Sequence, residues 1–180
     1  MSSAHGAGAG SRIDVLISEA DLRERVKALG AQITRDYAGR SLLVIGVLKG
    51  SFVFLADLVR AIDLPVVVEF IGISSYEGTT TSGVVRITSD IGRSIEGKDV
   101  LLVEDIVDTG LTMRYLLDNL ATRGPASVEV CALLEKPARA RVTIPVRYRG
   151  FVIGDEFVVG YGLDWDGRMR NLPFVGVPRS

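Results

Sequence analysis

Four apolar runs of strand length decide what this chain can fold into. Leu42–Leu48, Pro65–Ile73, Val100–Val107 and Ser127–Leu134 each span seven to nine residues and are dominated by Val, Ile and Leu. Segments with helical periodicity alternate with them. Ser18 with Asp21 makes a capping-box-like start, after which Leu22, Val26, Leu29, Ile33 and Tyr37 fall on one face and Gly39 ends the segment. Phe52, Leu55, Val59 and Ile62 mark a second helix. Met113, Leu116, Leu117 and Leu120 mark a third, stopped by Gly124-Pro125. Val84–Ser89 reads as a further strand, with Ile95–Asp99 turning into the next. Phe151–Ile153 and Phe157–Val159 read as short strands, and polar Ser74–Gly83 as a long mobile loop. The alternation predicts an α/β fold with a doubly wound, mostly parallel sheet. Such sheets bind ligands at the carboxyl ends of their strands. Two chemically unusual segments, Lys49-Gly50 and Glu104–Thr112, stand at ends of that kind.

Missing residue types narrow the chemistry. His5 is the only histidine, and it lies in Met1–Ser11, a small-residue stretch expected to be a disordered tail. The stretch lacks the apolar core of a secretory signal. Histidine triads and histidine-based zinc sites are thereby excluded, so proton transfer falls to carboxylates, lysine, tyrosine or the substrate. Cys131 is the only cysteine; it is expected to be a buried structural thiol, and no internal disulfide can form, which fits a reducing cytoplasm. A formal net charge of -1 offers no basic surplus for nucleic acid. No apolar run approaches the roughly 20 residues of a membrane helix. Residues 12–180 read as a single domain of ordinary soluble composition.

Val103–Thr112, VEDIVDTGLT, joins two opposed chemistries. A helix start carries unpaired N–H groups, Gly110 permits a turn that points them inward, and Thr109 and Thr112 add hydroxyls, all of which suit a phosphate. No lysine stands in the loop, so a Walker sequence is absent and a monophosphate fits better than a nucleoside triphosphate. Glu104 and Asp105 would repel phosphate, but they can accept hydrogen bonds from ribose hydroxyls and attract a magnesium shell that holds pyrophosphate. Phosphoribosyl pyrophosphate satisfies both halves. The competing explanation is an acidic strand end followed by a capped helix; the order and spacing of the two halves argue against it.

VEDIVDTGLT closely resembles the phosphoribosyl-pyrophosphate motif of type I phosphoribosyltransferases, and its wording is closest to the hypoxanthine-guanine branch. The resemblance runs from Val15 to Val177. Leu48-Lys49-Gly50 resembles the pyrophosphate loop, which in that family contains a cis peptide. Ser74-Ser75-Tyr76 resembles the start of the mobile lid, and Glu135-Lys136-Pro137 the segment with a base-recognising lysine. Asp155–Leu172 resembles the purine-binding region, with Phe157, Asp164 and Arg170 in their family places. The resemblance implies the type I fold with a small hood built from terminal segments. It also implies a cytoplasmic homodimer or homotetramer acting in purine salvage on small molecules, with no nucleic-acid or membrane partner. The reaction would join hypoxanthine or guanine to phosphoribosyl pyrophosphate, with Mg2+, giving IMP or GMP and pyrophosphate.

The same resemblance implies residue roles. Lys49, Gly50 and Arg170 would meet pyrophosphate, and Glu104, Asp105, Asp108, Thr109, Gly110, Leu111 and Thr112 the ribose phosphate. Glu104, Asp105 and Asp164 would serve the metal, Asp164 from within the purine region. Lys136 would donate to the 6-oxo group, Phe157 would stack on the purine, and Val158 would offer backbone groups, leaving its side chain replaceable. Ser75 and Tyr76 would close the lid. Asp108 would take the N7 proton as general base. Each has a plainer alternative: a helix N-cap for Asp108, a solvated lysine for Lys136, core packing for Phe157, a turn carboxylate for Asp164, a surface ion pair for Arg170. Leu111 replaces a polar or basic residue of some relatives, and its side chain is expected to point away. Arg139 and Arg141 have no role assigned. Two rivals remain: a different preferred base such as xanthine, and a nucleotide-sensing regulator that binds RNA or DNA.

Overall fold

The computed structural model describes residues 12–75 and 85–179, with the side chain of Ser75 excepted. Its main sheet has six strands: β2 (Leu42–Leu48), β3 (Val66–Ser75), β4 (Val85–Ser89), β5 (Asp99–Val107), β6 (Ser127–Glu135) and β7 (Val146–Val152). Their spatial order is β4-β3-β2-β5-β6-β7, and every pairing is parallel except β3 with β4. Helices α1 (Glu19–Asp36) and α2 (Phe52–Ala61) cover one face, and α3 (Leu111–Ala121) covers the other.

Strand alternation divides the core between these layers. Val44, Leu101, Val103 and Leu133 pack with Leu22, Leu29, Ile33, Leu55 and Leu58 of α1 and α2. Their neighbours Ile45, Val100, Leu102 and Ala132 pack with Met113, Leu116 and Leu120 of α3. The sheet is therefore doubly wound, as the sequence predicts. Cys131 is fully buried, and burial pushes its thiol well above the usual range.

From β2 the chain winds outward to β3; from β5 it winds the opposite way to β6. The reversal puts the switch point between β2 and β5, where a crevice opens beyond the strand ends. In register, Gly46 pairs with Val103, so the segments after Leu48 and after Val103 emerge side by side.

The expected hood of terminal segments is an antiparallel ribbon of β1 (Ile13–Ile17) and β8 (Val175–Pro178), strands not evident from sequence, and two local expectations change. Strand β7 begins five residues before Phe151. Phe157–Val159 is not a strand; Val159 alone bridges to Gly176. The tail 1–11 and Tyr76 of the lid lie outside the described residues, while Ser75 ends β3 opposite Val85.

Candidate active site

Two neighbouring carboxylates stand near the end of β5, close enough to act on each other, and Glu104 Oε1 accepts the Asp105 N–H at 3.0 Å. Glu104 is buried and faces the α3 side, lining a cavity of about 70 Å³ with Asp108, Thr109, Gly110 and Thr112. That exceeds twice the roughly 30 Å³ share of one water. Asp105 faces the α2 side, its Oδ1 accepting the Ile106 N–H at 2.7 Å. So it is Glu104, and not Asp105, that shares a cavity with Thr112. Burial, with the neighbouring Asp105 charge, raises the Glu104 carboxyl well above the usual range; burial raises Asp105 as well. The pair is built to receive positive charge or hydroxyl donors.

The first turn of α3 carries no carboxylate. Its cap residue Gly110 has φ 81° and no side chain to cap with, no acidic residue stands in the first turn, and the one side-chain contact among the described residues is a long one, Thr109 Oγ1 accepting the Leu111 N–H at 3.4 Å. By contrast Ser18 caps α1, with Glu19 and Asp21 beside it. The first helix amides of α3 therefore face the loop cavity without a carboxylate competing for them. The loop is braced from behind: Thr109 C=O accepts the N–H groups of Arg141 and Val142 at 2.9 and 3.1 Å, and a Cβ on Gly110 would meet Val142 O at 2.3 Å. Leu111 is exposed and points away, as expected.

Close backbone approach assembles the other wall. The Leu48–Lys49 peptide is cis. A Cβ on Gly50 would lie 1.6 Å from Asp105 Oδ2, and one on Gly162 would lie 2.1 Å from Gly50 O. Glycine at both positions lets the 160s segment, the Lys49-Gly50 turn and Asp105 stack within contact. Arg170 donates to Gly162 O at 2.7 Å and pairs with Asp164 Oδ1 at 2.7 Å; Asp164 Oδ2 accepts the Gly167 N–H. Arg170 also acts electrostatically on Asp105. Ser51, unremarked in the sequence, is fully buried and ties this turn to Val47 O. Among the described residues no three histidine, cysteine or acidic side chains gather as a metal cage.

At the end of β6, Lys136 is only 6% exposed, so it is not a solvated lysine. Its Nζ donates to Glu156 O at 2.6 Å and its N–H to Val107 O at 2.9 Å. One ammonium bond is thus used for aiming, and two donors remain. Phe157 is not core packing: it is 57% exposed, in edge contact with Trp165 at 6.2 Å. Val158 corrects an expectation, because its side chain is buried in the core and is not freely replaceable. Its backbone N–H and C=O have no backbone partner among the described residues.

Asp108 does not cap α3. Its Oδ1 accepts from Arg139 Nε at 2.6 Å, and Arg139 also donates to Asp155 Oδ1 at 2.9 Å. Hydrogen bonding from Arg139 holds the Asp155 carboxyl below its usual range. Neither Asp155 nor Arg139 carries a sequence signal for this bridge beyond being charged.

Three comparisons bear on the arrangement. A phosphoribosyl transferase domain family matches residues 19–166. Hypoxanthine phosphoribosyltransferase of Haemophilus influenzae is 53% identical over 168 residues, covering 91% of this chain and 94% of that protein. Hypoxanthine-guanine phosphoribosyltransferase of Dictyostelium discoideum is 49% identical, covering 91% and 93%. A crystal structure of a hypoxanthine-guanine phosphoribosyltransferase from Bacillus anthracis, with HEPES in its active site, matches with TM-score 0.89 at 47% identity, covering 95% of this chain and all of that one.

Proposed function

The chain belongs to the phosphoribosyl transferase family, in its hypoxanthine-guanine branch, and from that membership we infer how its site works. It is a transferase of purine salvage: the 5-phosphoribosyl group of phosphoribosyl pyrophosphate passes to hypoxanthine or guanine, giving IMP or GMP and pyrophosphate. One observation carries the reading of the site. A helix start without a carboxylate, the buried Glu104 and the half-buried Asp105 meet at the sheet's switch point, next to a strand end that bears a buried amine.

On this reading the α3 amides and Thr109 and Thr112 bind the 5-phosphate. Glu104 and Asp105 accept the ribose hydroxyls, and the Lys49-Gly50 turn with Arg170 holds pyrophosphate. Phe157 stacks on the purine, Val158 backbone groups meet the base edge, and Lys136 donates to the 6-oxo oxygen. Adenine carries an amino group at that position, so it meets a donor where it needs an acceptor. As N9 attacks the anomeric carbon with inversion, the N7–H bond breaks and Asp108 takes the proton. Ser75 and Tyr76 begin a lid that excludes water from an oxocarbenium-like transition state.

A magnesium ion fits this site. Buried Glu104 has no basic side chain acting on it, Asp105 beside it feels only Arg170, and magnesium takes one or two carboxylates together with substrate phosphates and water, without a full protein cage. Glu104, Asp105 and Asp164 are the residues for it. When bound, it supplies charge compensation for the pyrophosphate.

Homo-oligomerisation is the matching proposal for partners. Phe52 on α2 and Phe70 on β3 stand exposed on one face of the sheet, beside Val68, and a second copy would cover them. Sedimentation showing a monomer at micromolar concentration would remove it. A cytoplasmic location is proposed on the single, buried cysteine; among the described residues no helix is long and apolar enough to cross a membrane. Cell fractionation tests it.

A base panel tests the specificity. Hypoxanthine and guanine should react, and adenine and uracil should not; xanthine reports how much the 2-position matters. Reaction with adenine alone would overturn the role of Lys136.

A further inference from the structure

Among the described residues Asp108 has one carboxylate oxygen engaged and one without a partner. Arg139 Nε contacts Oδ1 at 2.6 Å, and a second nitrogen of the same guanidinium contacts Asp155 Oδ1 at 2.9 Å. The three residues come from three segments: the β5–α3 loop, the turn after β6, and the approach to Phe157. Nor is the arginine loosely hung. Its segment is sewn to the strand end by the N–H groups of Lys136, Arg141 and Val142, which bond Val107 O and Thr109 O at 2.9 to 3.1 Å. A single 3-10 turn, Pro137–Arg139, then fixes where the side chain leaves.

Stability does not account for this bridge. All three side chains are more than a third exposed, and exposed ion pairs contribute little to folding. What the bridge fixes is orientation. A planar guanidinium can hold two carboxylates at once at set angles, which an ammonium cannot. With Oδ1 held, the carboxylate plane of Asp108 cannot turn freely, and Oδ2 is left to accept a proton.

We propose that Arg139 is the positioning residue for the Asp108 base, anchored in turn by Asp155. The proposal rests on the reading of Asp108 as proton acceptor. It also ties the base to the purine pocket, because Asp155 lies two residues before Phe157 and one before the carbonyl that aims Lys136. Acceptor, stacking ring and recognition amine are then set by one connected frame.

The test is steady-state kinetics of Arg139→Gln, Arg139→Lys, Asp155→Asn and the double variant Arg139→Gln/Asp155→Asn, with melting temperatures as a folding control. A positioned base supplies about 10²–10⁴-fold in rate. Losing its orientation should remove roughly ten- to a hundredfold of kcat, with KM for phosphoribosyl pyrophosphate within about twofold. Arg139→Lys, which keeps the charge but not the fork, should recover part of the loss. Asp155→Asn should lower kcat less than Arg139→Gln, and should change nothing further in the Arg139→Gln background. Unchanged or raised kcat in Arg139→Gln, no recovery in Arg139→Lys, or an Asp155→Asn loss that persists without Arg139 would each overturn the proposal. Asp108→Asn, measured alongside, separates the two ideas. If it turns over normally, the base reading itself fails; if it is impaired while Arg139→Gln is not, only the positioning role fails.

Discussion

Gly50→Ala is the smallest change that should disable the site while sparing the fold. The added methyl would sit 1.6 Å from Asp105 Oδ2 and 2.6 Å from its Cγ, whereas ordinary contact begins near 3.4 Å. About 1.8 Å of displacement is needed. Oδ2 is the end of a short side chain, so the cheaper relief is rotation of Asp105 and not movement of the β2–α2 turn. That turn is held by Ser51 Oγ on Val47 O and by Gly162 against Gly50 O. Rotation breaks the Ile106 N–H bond to Oδ1 and forces a poor rotamer, together about 2 kcal/mol. For a domain of this size that is a fall of roughly 4–8 °C in Tm. The catalytic cost is larger, since a misplacement of about 1 Å near the chemistry costs on the order of a hundredfold. Kinetics with phosphoribosyl pyrophosphate as the varied substrate should therefore show kcat/KM down by about two orders of magnitude in a protein still cooperatively folded at 25 °C. Wild-type kinetics in a folded Gly50→Ala would refute both the contact and the need for an oriented Asp105.

Other outcomes follow from the same geometry. Asp108→Asn should lower kcat by about 10²–10⁴-fold with little change in Tm; an unchanged pH–rate profile and kcat would remove it as the base. Lys136→Ala should reduce kcat/KM for 6-oxopurines by at least tenfold more than it weakens phosphoribosyl pyrophosphate binding, and equal losses would indicate general damage. Because Glu104 and Asp105 have raised values when folded, the folded protein holds protons that the unfolded chain releases above about 4.5 for Glu104 and 3.8 for Asp105. Their contribution to stability is therefore full at low pH and is lost as pH rises through the raised values. Glu104→Gln should accordingly raise Tm more at pH 8 than at pH 5, and a pH-independent difference would contradict the burial account. Cys131 should resist a thiol reagent in the native protein and react once unfolded; a fast native reaction would mean it is not buried.

The sheet was readable because its strands are continuous apolar runs: Leu42–Leu48 has the bounds expected for β2, and Val100–Val107 lies within one residue of β5. The β5–α3 turn was readable because Gly110, at φ 81°, stands directly before the apolar periodicity of α3. What escaped was set by distant pairing. Ile13–Ile17 and Val175–Pro178, 165 residues apart at Ile13 and Pro178, become strands only against each other. In β7, Val146 and Tyr148 alternate with Arg147 and Arg149, an edge-strand pattern that could have extended the assignment back from Phe151. The burial of Lys136 depends on a carbonyl 20 residues away, and the Arg139 bridge on two carboxylates whose positions only the fold sets. Val158 shows the converse: a residue singled out for its backbone also has a side chain the core needs.

Titration calorimetry of magnesium phosphoribosyl pyrophosphate tests most directly whether one ligand is held from both sides of the β5–α3 turn. Wild type should bind one molecule per chain. Asp105→Asn, on the carboxylate side, and Thr112→Val, at the helix start, should each weaken that binding by about tenfold, the scale of one lost hydrogen bond to a charged group. Undiminished affinity in either variant would contradict a grip shared by the two halves.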